Sequence, residues 1–264
     1  MERGLFRHET NLKEFIFYAK QNNVLHVELL DFFWDQESPQ EIRAYMDEIG
    51  VDCPIYSVTN NFLKEDSSPH AEVDKILAGI DLAPVLGAQY VRVFSARPNP
   101  SYNLDESMDI IVKCLKQCVA YAEKKGIKLM LENHGALAGS SRQALGILQA
   151  VGSDYFFINA DTGNFFVACQ DILEGVQNVY PKMASMHVKD VVYAEKGEPT
   201  IDGRFLKGVV TGKGMARIGE IMQFLKQSDY EGYITLEYEG LYGDYYCGTK
   251  ESLDGLKALL MAAN

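Results

Sequence analysis

The sequence predicts an α/β fold in which eight βα units close into a (β/α)8 TIM barrel, a single domain over residues 1–264. Two observations carry this prediction. Short apolar runs of four to six residues alternate with longer amphipathic stretches, and the starts of successive runs lie 28 to 50 residues apart. That spacing accommodates one strand, one helix and two loops, the repeating unit of parallel sheets with right-handed crossovers.

Seven runs are rich in Val, Ile, Tyr and Phe and mostly apolar on both faces, as expected of strands buried in a parallel sheet. They occupy residues 24–29, 53–58, 89–94, 127–131, 155–160, 183–188 and 233–236. An abbreviated first strand is expected around residues 4–6, ahead of a helix at 12–20. With it the number of βα units reaches eight, the number that closes a barrel.

Apolar side chains between the strands repeat at helical spacing. From Met108 to Ala122 they recur every three or four residues, after a helix-capping Asn103 and before a terminating Gly126. The polar, glycine-bearing stretch at 195–214 is expected to form a long active-site loop. A doubly wound open sheet is the alternative, but no strand is followed by the glycine-rich phosphate loop of its nucleotide binders.

Composition excludes several classes of function. With 25 Lys and Arg against 37 Asp and Glu, the formal net charge is −12, which argues against a nucleic-acid partner. No apolar stretch has the length of a signal peptide or membrane span, so no membrane partner is expected. The five cysteines are odd in number and form no CxxC pair, which predicts a reduced, cytoplasmic protein.

Residues of metal-ligand type stand at the strand ends, where barrel enzymes carry their chemistry. Glu132, Asp161 and Glu237 directly follow predicted strands, while His187 and Glu28 lie near the ends of two others. Charged groups there are costly to desolvate unless they are paired or bound to a metal. Two Glu, one Asp and one His suit Mn²⁺, Mg²⁺, Co²⁺ or Zn²⁺. Solvated carboxylates beside a hydrogen-bonded His are the alternative.

Five short motifs resemble, in their order, the xylose isomerase-like TIM-barrel superfamily. They are LENHG at 131–135, NADTGN at 159–164, MHVKD at 186–190, TGKG at 211–214 and TLEYEG at 235–240. They are most similar to the sugar-phosphate isomerase/epimerase group, which includes hydroxypyruvate isomerases, ketose 3-epimerases and inosose dehydratases. The resemblance extends from about residue 11 to the C-terminus.

The resemblance implies one divalent metal ion, Mn²⁺ first among the candidates, held by Glu132, Asp161, His187 and Glu237. Glu132 and Glu237 would be the acid/base pair, moving a proton α to a carbonyl through a metal-stabilised enediolate. The expected enzyme is a sugar or keto-acid isomerase/epimerase with a small sugar, polyol or keto-acid substrate, in a chain that can form a homo-oligomer. The same abstraction followed by loss of water would make it an inosose-dehydratase-like lyase.

Two further classes remain as alternatives. An endonuclease IV-like DNA repair enzyme needs several more His ligands than this chain offers, because three of its five His, residues 8, 26 and 70, lie outside the motifs. A non-catalytic binding barrel is the other. Ketose 3-epimerases commonly carry a His at the position of Asn164 and an Arg at that of Tyr193, so a literal ketose 3-epimerase is disfavoured.

Six residues are candidate substrate contacts: His134, Asn164, Lys189, Arg97, Arg204 and Trp34. His134 follows the metal-binding Glu by two residues, and Asn164 is placed to hydrogen-bond a hydroxyl. Lys189 would bind a carboxylate, phosphate or hydroxyl, or simply pair with Asp190. The two arginines are candidate anion anchors, and the Trp can wall a sugar pocket.

Overall fold

The structure, a computed structural model, describes residues 5, 9–34, 37–240 and 245–263. Its strands are β1 (His26–Leu30), β2 (Asp52–Ser57), β3 (Tyr90–Val93), β4 (Lys128–Glu132), β5 (Phe156–Asp161), β6 (Met183–Val188), β7 (Asp190–Ala194), β8 (Glu198–Pro199), β9 (Phe205–Val209) and β10 (Tyr233–Leu236). Over the described ranges, seven of them form a sheet in the order β1-β2-β3-β4-β5-β6-β10. The pairs β1–β2, β2–β3, β3–β4, β5–β6 and β6–β10 are parallel, and this chain-order succession is that of a TIM barrel.

Helices connect these strands. They are α1 (Leu12–Gln21), α2 (Pro39–Ile49), α3 (Pro69–Leu86), α4 (Leu104–Lys125), α5 (Gly135–Ala138), α6 (Ser141–Val151), α7 (Thr162–Val167), α8 (Ile172–Val179), α9 (Ile218–Gln227) and α10 (Tyr245–Ala262). The ends of α4 confirm the sequence prediction: Asn103 accepts the Glu106 N–H at its start, and Gly126 adopts a left-handed φ of 70° at its end. Among the described helices, none combines the length and the apolar character that crossing a membrane would require.

Each of the seven predicted runs overlaps one strand of the parallel sheet, so that part of the prediction is confirmed. The abbreviated first strand around residues 4–6 lies outside the described residues except for Leu5. Leu5 itself has helical conformation and is buried. The expected strand is therefore wrong at Leu5, and its other residues lie outside the described part of the chain.

The described chain divides into two compact units. The N-terminal unit comprises Leu5–Glu132 and Gln143–Phe157, and the C-terminal unit comprises Asn133–Arg142 and Ile158–Asn264. Each unit has its own apolar core. Fully buried side chains of the first are Ile16, Leu29, Ile42, Ile76 and Leu115, and those of the second are Phe165, Val176, Met186, Val188 and Ile221.

The expectation of a long loop at 195–214 is wrong. The stretch contains β8 and β9, which pair antiparallel in the order β7-β9-β8. Leu206 of β9 lies opposite Tyr193 of β7 and is buried, while its neighbour Phe205 remains 38% exposed. Backbone pairing and this one-sided burial stabilise a small sheet that the polar composition of the segment conceals.

Candidate active site

The ends of β5, β6 and β10 bring Asp161, His187 and Glu237 together in the C-terminal unit. In the strand register Asp161 lies opposite His187, and His187 lies opposite Thr235, two residues before Glu237. Nδ1 of His187 is 3.3 Å from Oε2 of Glu237. Asp161 is fully buried and His187 is 4% exposed, so the three strands present an imidazole and two carboxylates in a site largely shielded from water.

The ammonium group of Lys189 lies among three carboxylates. Its Nζ is 3.3 Å from Oδ2 of Asp161, 3.2 Å from Oε2 of Glu237 and 3.3 Å from Oε2 of Glu239. The backbone of Lys189 is fixed by Thr162, whose hydroxyl donates to its carbonyl at 2.7 Å and accepts from its N–H at 2.9 Å. A buried cation held in this way offsets part of the negative charge of the site.

Gly163 provides the space that the Lys189 side chain occupies. A Cβ at position 163 would lie 2.6 Å from Cδ and 2.9 Å from Cγ of Lys189. Those distances are shorter than van der Waals contact, so a larger residue would displace the lysine stem. Close packing against Lys189 thus explains why the NADTGN motif has a glycine at position 163.

The charges around Glu237 decide its ionisation. Burial alone would raise the pKa of its carboxyl group. The Lys189 ammonium and the His187 imidazole, together with a hydrogen bond to Asp161, outweigh burial and hold that pKa well below its ordinary value of 4.5. Glu237 is therefore ionised at neutral pH, the state in which a carboxylate binds a metal or accepts a proton.

Asp161 is oriented by neighbours in the same unit. Its Oδ1 accepts the Asn164 N–H at 2.9 Å and caps α7. The side chain of Asn133 accepts the Asp161 N–H at 2.6 Å and donates to its carbonyl at 3.2 Å.

Of the four predicted metal ligands, Glu132 is buried at the end of β4 in the N-terminal unit, while Asp161 and His187 are buried at facing positions of β5 and β6 in the C-terminal unit. Glu237, the fourth, lies beside His187. Carboxylate oxygens with one imidazole nitrogen form a donor set that suits Mn²⁺, Mg²⁺, Co²⁺ or Zn²⁺. The residues present therefore fit a divalent metal ion.

A buried charge network in the N-terminal unit was not predicted. Nε of Arg92 lies 3.2 Å from Oε2 of Glu132 and 3.6 Å from Oε1 of Glu28, and donates a hydrogen bond of 3.1 Å to Ser57. The side chains of the three charged residues are 4–5% exposed. A charge in the middle of the apolar run at 89–94 was the signal that could have identified Arg92.

The other predicted substrate contacts occupy various environments. Trp34 follows β1 and donates from Nε1 to the Tyr56 hydroxyl at 3.1 Å. Arg97 is exposed in the segment after β3. Arg204 pairs with Asp202 at 2.7 Å. These positions leave their substrate roles as predictions.

Two further candidates lie in the C-terminal unit. His134 is half-buried at the start of α5 and makes no side-chain capping bond to that helix. Asn164 is buried in the first turn of α7. Glu239, which was not predicted, joins the site through its contact with Lys189. Its position two residues after Glu237 was the available indication, because alternate residues of an extended segment share a face.

Asp190 connects two of the sequence motifs. Its carboxylate accepts the N–H groups of Gly212, Gly214 and Ala216 at 2.8, 2.9 and 3.0 Å. The alternative in which Lys189 simply pairs with Asp190 is therefore replaced: the aspartate organises the TGKG segment, while the lysine faces the carboxylates of the site.

Comparison with protein families gives one match across most of the chain. A family described as xylose isomerase-like TIM barrel matches residues 14–259. An inosose dehydratase from Clostridium perfringens is 24% identical over 143 residues, which are 51% of this chain and 48% of that protein. The chain thus matches about half the length of this relative.

Two other proteins are similar over more of their length. Fructoselysine 3-epimerase from Shigella flexneri is 22% identical over 206 residues, 76% of this chain and 71% of that protein. Among solved structures, the probable 3-DHS dehydratase from Bacillus anthracis superposes with a TM-score of 0.77 at 17% identity, covering 96% of each chain. At that identity the structural likeness shows the fold alone.

Proposed function

The chain belongs to the xylose isomerase-like TIM barrel family, and we propose that it is a divalent-metal-dependent isomerase or epimerase of a sugar or keto-acid. The observation that supports this most strongly is the meeting of Asp161, His187 and Glu237 at the ends of three strands. A buried imidazole beside carboxylates, with a lysine fixed among them, is a costly arrangement for a protein that only needs a core.

Glu132, Asp161, His187 and Glu237 would hold the metal ion, for which Mn²⁺ is our first candidate. When bound, the ion supplies Lewis acidity that polarises a substrate carbonyl and lowers the cost of removing the neighbouring proton. The chain needs no thiolate for this, consistent with a donor set of oxygen and nitrogen atoms.

Glu132 and Glu237 would move the proton. One carboxylate removes it from the carbon α to the carbonyl, and the other returns a proton to the opposite face or to the adjacent carbon. The contacts of Glu237 with Lys189 and His187 keep it ionised before the reaction. The Lys189 ammonium would also hydrogen-bond a substrate hydroxyl or carboxylate.

We assign the remaining substrate contacts as predicted from the sequence. His134 and Asn164 would hydrogen-bond hydroxyl groups, and Trp34 would pack against the carbon skeleton. Arg97 and Arg204 would interact with an acidic substrate; Arg204 would first have to leave Asp202. We also propose a reducing, cytoplasmic location, because all five cysteines are free.

A dehydratase is the second candidate, favoured by the similarity to an inosose dehydratase. It shares the proton abstraction, after which the electron pair left on carbon expels a β-hydroxyl group as water. His134 is our candidate for the proton donor to that departing hydroxyl.

Both candidates are tested by incubating Mn²⁺-loaded protein in D₂O with ketoses, keto-acids and inososes. Solvent deuterium appearing in an isomerised or epimerised product supports the first candidate. An enone absorption with loss of water supports the second. If no compound exchanges hydrogen or loses water, while the protein remains folded, both enzyme proposals fail for these substrate classes.

A further inference from the structure

The buried network around Arg92 adds a residue to the proposed reaction. We propose that Arg92 is a positioning residue that holds the Glu132 carboxylate in the orientation required for metal binding and proton transfer. The inference rests on the proposed function, because it assigns Arg92 a role through Glu132.

Several neighbouring side chains restrict the orientation of Arg92. Its Nε donates to the Ser57 hydroxyl at 3.1 Å, and Ser57 in turn donates to Oε1 of Glu28. The guanidinium lies 4.4 Å from the centre of the Phe94 ring. These contacts come from β1, β2 and the end of β3, so the guanidinium has little freedom to turn.

This fixed group then acts on Glu132 from one side. Nε of Arg92 lies 3.2 Å from Oε2 of Glu132. A rigid, permanently charged guanidinium beside one carboxylate oxygen restricts rotation of the carboxylate and directs its other oxygen away from Arg92. Neighbours that orient a metal ligand in this way commonly decide metal affinity and activity.

Fold stability is a weaker explanation for the network. Removing charges from water costs several kcal/mol per ion, and well-packed apolar residues often replace buried ion pairs without loss of stability. Here one arginine lies between two buried carboxylates, an arrangement that costs desolvation of three charged groups. Such an arrangement is better explained by what it does to Glu132.

The test is calorimetric titration of metal-stripped protein with Mn²⁺, comparing wild type with Arg92→Lys. Lysine keeps the charge and loses the planar guanidinium. We expect Mn²⁺ affinity to fall by about 10- to 100-fold, with a melting temperature within a few degrees of wild type. With a substrate from the D₂O panel, kcat should fall by a similar factor and KM should change little.

Arg43→Lys is the matched control. Arg43 pairs with Asp47 and donates to the Leu86 carbonyl at 3.0 Å, in the same unit but outside the network. It should leave Mn²⁺ affinity and kcat unchanged. If Arg92→Lys does not fold, Ser57→Ala removes one support of the guanidinium while keeping every charge, and should lower Mn²⁺ affinity to a smaller extent.

Unchanged Mn²⁺ affinity and kcat in whichever of the two variants folds would overturn the proposal. A fall in melting temperature alone would then assign the network to stability. Wild-type protein that takes up no Mn²⁺ and exchanges no substrate hydrogen contradicts the proposed function instead, so the two failures can be told apart.

Discussion

Nζ of Lys189 lies 3.2 Å from Oε2 of Glu237, the same carboxylate oxygen that faces Nδ1 of His187 at 3.3 Å. One oxygen atom thus meets two groups that can carry positive charge. The arrangement keeps Glu237 ionised and fixes it beside His187. Because the lysine also contacts Asp161 and Glu239, a change at any of these residues should alter the others.

Glu237→Gln tests the proposed acid/base role. The amide keeps the size of the side chain, but it cannot accept a proton as a carboxylate does. We expect the rate of solvent-deuterium incorporation into product to fall by about 100-fold or more. Glu251→Gln is the control, since Glu251 is a half-exposed carboxylate that pairs with Lys213 at 3.0 Å. If the two variants incorporated deuterium at equal rates, Glu237 would have no acid/base role in the reaction.

Lys189→Met should destabilise metal-free protein in a pH-dependent way. The pKa of Glu237 is lowered in the folded state, so its ion pair contributes stability above its unfolded-state pKa, near 4.5. That contribution disappears as the pH falls through the lower folded-state value. The loss of melting temperature in the variant should therefore be largest near pH 7 and should shrink below pH 4.5.

Thermal melts of both proteins across this pH range provide the measurement. Lys213→Met is the matched control, because Lys213 forms an ion pair with Glu251 in which both side chains are exposed to solvent. If the loss of melting temperature in Lys189→Met stayed constant with pH, the lysine would contribute to stability through packing rather than through its charge.

Gly214→Ala should destabilise the fold. A Cβ at position 214 would lie 2.1 Å from Oδ1 of Asp190 and 2.7 Å from the Val191 carbonyl oxygen, both buried acceptors. The TGKG segment would have to move away from Asp190, at a cost of about 1–3 kcal/mol. Denaturant unfolding of the wild type and the variant measures the change in the free energy of unfolding.

Gly146→Ala is the contrasting substitution. Gly146 lies in the exposed middle of α6, and a Cβ there would meet no atom within 4 Å. We expect a gain of about 0.4–1 kcal/mol, since alanine reduces the conformational freedom of the unfolded chain. If both glycine variants changed the free energy of unfolding equally, the close approach of Asp190 and Val191 to Gly214 would not affect stability.

The strands of the parallel sheet could be predicted from the sequence because burial on both faces requires a short, continuous run of apolar residues. The run at 183–188 coincides with β6, and the residue after the run at 127–131 is the Glu132 that ends β4. Strand ends converge in a barrel, so side chains of metal-ligand type there could be grouped without knowledge of any distance.

Contacts between distant segments of the chain could not be predicted, because they produce no local pattern in the sequence. The partners of Arg92 are contributed by β1, β2 and β4, and no spacing along the chain indicates that they meet. Asp190 presented the same difficulty, because its partners are backbone N–H groups more than twenty residues away. The antiparallel sheet at 190–209 escaped prediction because β8 has only two residues and the segment between β7 and β9 is polar and contains glycine.

The cysteines should divide into two reactivity classes. Burial raises the pKa of Cys53 and of Cys118 to about 12, and it also raises the pKa of Cys114. Cys169 and Cys247 are exposed. Brief treatment of the native protein with iodoacetamide, followed by peptide mass spectrometry, should modify the exposed pair and spare the other three. Rapid labelling of Cys53 in folded protein would contradict the described packing.

The most direct test of the central claim is calorimetric titration of metal-stripped protein with Mn²⁺, wild type against Asp161→Asn. Asparagine can still cap α7 through the oxygen that accepts the Asn164 N–H, so the fold should survive while the anionic ligand is lost. We predict one Mn²⁺ per wild-type chain and no measurable binding by the folded variant. Absence of binding to wild type, or equally tight binding to both, would contradict the proposed metal site.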